Sequence, residues 1–132
     1  MNNQLRLNMY LMKGNRACLV FKKGEILFRV NRLTQALQFV AEMEQLAKAI
    51  DTGAAQEYYY ELVDDRGKKL VFECGFDLEL LSLCVWKPDD TSAKFLSKVF
   101  SWEGSSVEFR KAVQGLTLMA SCARIFNVYR KG

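Results

Sequence analysis

The chain carries no histidine. That removes the commonest general base, the commonest metal ligand and the usual activator of a serine or cysteine nucleophile. Ser/His/Asp and Cys/His arrangements, and zinc helices built on histidine, are therefore impossible within it. Paired carboxylates remain for acid–base chemistry. Three pairs occur: Asp64/Asp65, Asp77/Glu79 and Asp89/Asp90. The first sits in a turn, the second flanks an apolar run, and the third precedes a segment that reads as a helix. Each position explains its acids structurally, although acidic loop residues leave magnesium binding open. The four cysteines, Cys18, Cys74, Cys84 and Cys122, are far apart and form no CxxC pair. Structural zinc sites use closely spaced pairs, so none is expected. Each cysteine lies among apolar neighbours, as in VFECGF, and reads as a small buried hydrophobe kept reduced. A cysteine nucleophile activated by a lysine or a helix end is the remaining enzymatic option, and nothing singles one cysteine out. No P-loop, no GxGxxG and no EF-hand loop appears. These residues predict a protein without catalytic residues, metal or cofactor.

Binding chemistry is better represented. Net charge is +4, and it is unevenly spread. Residues 1–33 hold seven Lys/Arg and one acid, residues 34–109 hold seven against fourteen, and residues 110–132 hold five and no acid. Basic ends around an acidic middle are either an electrostatic footprint for nucleic acid or segments that neutralise the middle in the fold or in a dimer. Single-strand binding needs cations interleaved with aromatic residues. The N-terminal segment supplies them: Arg6, Tyr10, Lys13, Arg16, Lys22 and Lys23, with Phe21, Phe28, Arg29 and Arg32 among them; Arg29 shares the face of Leu27 and reads as an edge charge. A second candidate surface is the C-terminal stripe Phe109, Val113, Leu116, Met119, Phe126 and Tyr129, with Arg110, Lys111, Arg124 and Arg130 beside it. This stripe either caps the sheet or pairs with a second copy, and a symmetric dimer is the commonest closed assembly.

The elements that must position these residues follow from periodicity. Residues 5–12 alternate, with Leu5, Leu7, Met9 and Leu11 on one face and Arg6, Asn8 and Tyr10 on the other. With strands over 17–22 and 25–30, they predict a three-stranded antiparallel meander. Asn31 reads as the cap of a helix over 32–50, ended near Gly53. Strands over 56–63 and 69–75 flank the turn Asp64-Asp65-Arg66-Gly67-Lys68. Residues 76–86 read as a central strand, with a helix start at Asp77 as the alternative. Phe95, Leu96, Val99 and Phe100 predict a second helix over 91–101, capped by Asp90. Ser105 or Ser106, with Glu108 behind it, starts a third helix running to about Tyr129, unless Gly115 breaks it. The order βββα-βββ-αα predicts one α+β domain over 1–132. It would be an antiparallel sheet of about six strands with helices packed on one face.

One stretch, YYYELVDDRGKKLVFE at 58–73, resembles the strand–turn–strand of PUR-type nucleic-acid-binding repeats. It has the aromatic and acidic strand, the Arg-Gly turn and the basic strand of that motif. The resemblance implies four strands followed by one helix, given twice. The elements read here instead run three strands and a helix, with no second copy.

Alternation splits the three tyrosines of EYYYEL. Tyr58 and Tyr60 share a face with Leu62 and belong to the core, while Tyr59 stands between Glu57 and Glu61. A stacking platform is therefore not expected there. No apolar run is long enough to span a membrane, and the N-terminus lacks an uninterrupted apolar leader. A cytoplasmic protein with no membrane contact is expected. The sequence thus predicts a non-catalytic binding module, dimeric through the C-terminal stripe, that takes a protein partner or small ligand. Single-stranded nucleic-acid binding by the N-terminal meander is the second reading.

Overall fold

The computed structural model describes residues 3–53, 57–77, 80–89 and 92–130, with backbone alone at 77, 89, 92–96 and 122–130. It is α+β. Two antiparallel sheets carry seven strands in all, rather than about six in one sheet. The first sheet is β1 (Leu5–Met12), β2 (Arg16–Lys23) and β3 (Ile26–Leu33), in that spatial order. Helix α1 (Ala36–Asp51) follows. The second sheet is β4 (Glu57–Val63), β5 (Lys69–Asp77), β6 (Leu80–Asp89) and β7 (Ser92–Ser105), again in sequence order. Helix α2 (Ser106–Arg130) closes the chain.

The segment over 91–101 is a strand and not a helix. Phe95, Leu96, Val99 and Phe100 fit a helical period, but Phe100 and Trp102 also alternate. In β7 these two are buried on the inner face, opposite Val85 and Leu83 of β6. A register shift at Val85/Trp86 absorbs the residue that disturbed the alternation. The Asp90 cap proposed for that helix lies outside the described residues. Two sheet-then-helix units result, three strands and α1, then four strands and α2. The second has the order implied by the PUR-type resemblance, and the first is one strand short of it.

The first helix starts later than its sequence suggests. Asn31 is not its cap, because β3 continues to Leu33, which is buried and bridges to Asp64. Gln35 occupies the cap position in the left-handed region (φ 52°) and makes no side-chain cap bond. Asn15, in the β1–β2 turn, does the capping. Its backbone carbonyl accepts from Ala36 N–H at 3.0 Å, and its Oδ1 accepts from Leu37 N–H at 2.9 Å. By contrast α2 starts as read. Ser105 Oγ accepts from Glu108 N–H at 3.2 Å, an N-cap bond, and its hydroxyl donates to the Glu108 carboxylate at 3.3 Å. Gly115 does not break this helix.

All nine elements feed one hydrophobic cluster. Phe21 of β2 packs on Phe72 of β5 and Phe100 of β7, with ring centroids 6.3 and 5.6 Å apart, so the inner faces of the two sheets meet. Phe39 of α1 packs on Tyr60 and Phe72. Aromatic pairs of this kind add about 0.5–1.5 kcal/mol each beyond their burial. The helices lie against each other antiparallel. Arg110 pairs with Asp51 at 3.0 Å, and one turn pair further along, Thr117 donates to Glu44 at 3.0 Å.

Candidate nucleic-acid interface

With Leu5, Leu7, Met9, Leu19 and Phe21 turned inward, the opposite face of the first sheet is fixed by alternation. Register then sets its rows. Arg6 lies opposite Lys22, and Lys22 opposite Leu27. Asn8 lies opposite Val20, and Val20 opposite Arg29; Tyr10 lies opposite Cys18. Tyr10 is 55% exposed and Leu27 is 51% exposed. Arg6 and Arg29 are exposed, and Lys22 is half-buried. None of these three cations has an ion-pair partner among the described residues. No strand of this sheet contains a carboxylate. The surface is therefore a pleated basic face with an aromatic and an aliphatic side chain standing on it.

Of the six meander residues read from sequence, Arg6, Tyr10 and Lys22 share this face. The other three do not. Lys13 is exposed in the β1–β2 turn, at one end of the sheet. Arg16 is held by its neighbours: its Nε donates to the Lys13 carbonyl at 3.0 Å, and its Nη1 meets Asp65 at 3.5 Å. Lys23 sits on the inward side of the alternation, opposite Leu5, with its Nζ 5.8 Å from the Phe100 ring centroid. Arg29, which the sequence places on the face of Leu27 as an edge charge, stands with Leu27 on this face. The two-residue turn Gly24-Glu25 fixes the β2–β3 register, and that register puts them opposite Val20 and Lys22. The signal was in the turn length.

The C-terminal stripe fares differently. Phe109, Val113 and Leu116 are buried within this chain's own core. In this conformation they cannot meet a second copy, because α2 spends that face on β1 and α1. Met119 is half-buried. The side chains of Phe126 and Tyr129 lie outside the described residues. Among the described side chains, the exposed large apolar groups of α2 are Val107 and Leu118, at 45% and 65%.

The carboxylate pairs are spent on structure where they are described. Asp64 Oδ1 accepts from the backbone N–H groups of Arg66 and Lys68, at 2.9 and 2.8 Å. Asp65 accepts from Arg32 and Arg16, and its N–H donates to the Arg32 carbonyl at 3.0 Å. These bonds tie the β4–β5 turn to the end of β3. Asp77/Glu79 and Asp89/Asp90 lie outside the described side chains. Cys74 is buried, and burial pushes its thiol up to about 12. Cys18 and Cys84 are only half-buried and face outward, which differs from the reading of every cysteine as a core residue. Cys122 lies outside the described side chains. Among the described residues no group of three or more Cys, Asp or Glu is arranged to hold a metal ion.

The tyrosine triplet splits by alternation. Tyr58 and Tyr60 face inward and Tyr59 is 58% exposed. Burial, then the hydrogen bond to Glu42, raises the Tyr58 phenol; burial also raises Tyr60. For Tyr59 the cause is different: the Glu57 carboxylate comes first, then Glu73. Among the described residues no helix is long and apolar enough to cross a membrane. Comparison with protein families, with curated proteins and with solved structures gives no match for this chain.

Proposed function

We propose that the outer face of β1–β3 binds single-stranded nucleic acid, without catalysis by the chain itself. The observation that carries this reading is Arg6, Lys22 and Arg29, unpaired and in adjacent rows on three strands that contain no carboxylate. Unpaired cations on an open sheet attract phosphates by counterion release. Tyr10 and Leu27 offer apolar surface to exposed bases, which a duplex keeps stacked inside. The test is anisotropy of a labelled oligothymidylate titrated with the protein over a salt series. Three phosphate contacts give a log–log salt slope of about −2 for a single strand. Absence of binding near about 50 mM salt, where such contacts are strong, rejects the reading.

Self-association keeps one observation in its favour, on a different part of α2. Leu118, 65% exposed, borders a groove between α1 and α2 that also includes Ala47 and Val113. A dimer formed there would be lost in Leu118→Glu. Light scattering coupled to size exclusion measures it, and an unmodified chain that elutes as a monomer at micromolar concentration ends that reading.

A further inference from the structure

A second basic site lies beside the proposed face, where the two sheets meet. A groove of about 420 Å³ opens between the edge strand β3 and the β4–β5 turn. Its rim carries Arg29, Arg32, Arg66, Lys68, Lys69 and Lys87, against two carboxylates, Asp64 and Asp65. Both carboxylates are already engaged, Asp64 by backbone N–H groups and Asp65 by two guanidinium groups. Among the cations, Arg32 is tied to Asp65, and Lys69 meets Glu61 at 3.6 Å. Arg29, Arg66, Lys68 and Lys87 have no partner among the described residues. The floor is apolar. Val30 and Leu62 are buried beneath it, and Phe28 and Leu70 are half-buried, so they leave apolar surface in the groove.

The geometry points to a binding site for a nucleoside monophosphate, with the phosphate on Arg66, Lys68 and Lys87 and the base against Phe28 and Leu70. Three features select that class. Four unpaired cations call for an anion, and guanidinium groups match phosphate oxygens in pairs. A volume of about 420 Å³ falls in the range of small-ligand sites, and is far more than a bare anion fills. The apolar floor calls for a flat apolar group joined to that anion. The turn is also built to hold its shape. Gly67 sits at φ 83°, Asp64 closes the loop through two backbone bonds, and Asp65 pins it to β3. The cations therefore stand on a fixed rim. Arg29 lines both this groove and the outer face of the first sheet, so the nucleotide could be free or could be one residue of a bound strand. The site itself does not depend on strand binding.

Amide chemical shifts of the labelled full chain test this, with thymidine monophosphate, thymidine and inorganic phosphate titrated separately, and oligothymidylate as a fourth arm. The monophosphate is expected to move the amides of residues 64–70 and 28–32 saturably. It should bind at least about tenfold more tightly than either fragment, since each half of the site then contributes more than 1.4 kcal/mol. Arg66→Glu combined with Lys68→Glu should weaken it by at least about tenfold, while the backbone bonds to Asp64 keep the turn folded. Lys87→Glu, outside the turn, gives a second measure should the turn variant misfold. No saturable shift at 28–32 and 64–70, or equal binding of phosphate and monophosphate, overturns the proposal. If the monophosphate binds and the oligonucleotide does not, the groove stands and the strand-binding face fails. If the oligonucleotide binds with no signal from the groove, the face stands and the groove fails.

Discussion

The outer faces of the two sheets are built alike and charged differently. Each is a pleated surface with one well-exposed tyrosine, Tyr10 on the first sheet and Tyr59 on the second, at 55% and 58%. Around Tyr10 stand Arg6, Lys22 and Arg29, without a carboxylate on any strand. Around Tyr59 stand Glu57, Glu61 and Glu73, with Glu103 beyond. Among the described side chains, the two lysines of that second face are occupied. Lys69 meets Glu61 at 3.6 Å, and Lys98 lies 5.2 Å from the Trp86 ring centroid. The field on the second sheet raises the Tyr59 phenol, Glu57 contributing most. An aromatic group exposed on a sheet is thus not a stacking platform by itself. The charges within a Debye length decide whether a phosphate chain can approach it.

Reversing charge on each face tests the contrast most directly. Arg6→Glu with Arg29→Glu should weaken oligonucleotide binding by about 100-fold, since two phosphate contacts become two repulsions. Lys98→Glu, a charge reversal on the other sheet at a residue outside the groove, should move affinity less than about threefold. Anisotropy at one fixed salt concentration reads both, and equal losses would erase the distinction between the faces. The tyrosines come next. Tyr10→Ala should cost about tenfold through lost stacking and leave the salt slope unchanged. Tyr59→Ala should leave affinity and slope alone. A change of slope in Tyr10→Ala would mean that the residue acts through folding and not through a base.

Part of this contrast is legible in the sequence and part is not. Alternation in LRLNMYLM puts Arg6 and Tyr10 together, and two of the acids around Tyr59, Glu57 and Glu61, lie beside it on β4. Both are facts about a single strand. Arg29 joins the face only through register across two strands, and that register depends on reading the Gly24-Glu25 turn as two residues long. Non-local contacts account for the larger differences. The start of α1 is set by Asn15, which precedes it by a whole hairpin. The strand over 92–105 owes its conformation to pairing with β6, which outweighs the helical spacing of four apolar residues. Ser105 and Glu108, by contrast, act within one turn, and that helix start was readable. The burial of Phe109, Val113 and Leu116 follows from where α2 docks, which an apolar stripe does not disclose.

The comparison of outer faces rests on one dry interior beneath both, and Cys74 tests that. Its thiol is fully buried and is shifted from 9.0 to about 12, chiefly by desolvation. Between these values the unfolded chain has lost the proton and the folded chain keeps it. The folded state then binds more protons, so stability falls as pH rises above 9, by up to about 1.4 kcal/mol per pH unit for this group. Tyr58 and Tyr60, also raised by burial, add to the fall above their ordinary value of 10.0. Cys74→Val should flatten the first part of the decline in urea midpoints measured from pH 8 to 10.5. Parallel curves for the two proteins would mean that water reaches the thiol.

The smallest effect concerns the second face alone. Trp86 lies on it, in register with Val71 and Lys98, and its indole N–H is buried without a hydrogen-bond partner among the described residues. A buried donor left unmade costs about 1–3 kcal/mol. Trp86 as a whole is half-buried; Trp102, on the inner face of the same sheet, is fully buried, but its N–H donates to the Asn3 carbonyl at 3.0 Å. Trp86→Phe removes the orphan donor and keeps a ring beneath Lys98. It loses some buried apolar area, so the two terms oppose and the net change should stay within about 1 kcal/mol. Trp102→Phe breaks a bond as well as leaving a void, and both terms destabilise. Thermal unfolding of the pair therefore separates the faces of one sheet. A large loss of stability in Trp86→Phe would show that its N–H is satisfied in solution, which a partner or an ordered water on that face would explain.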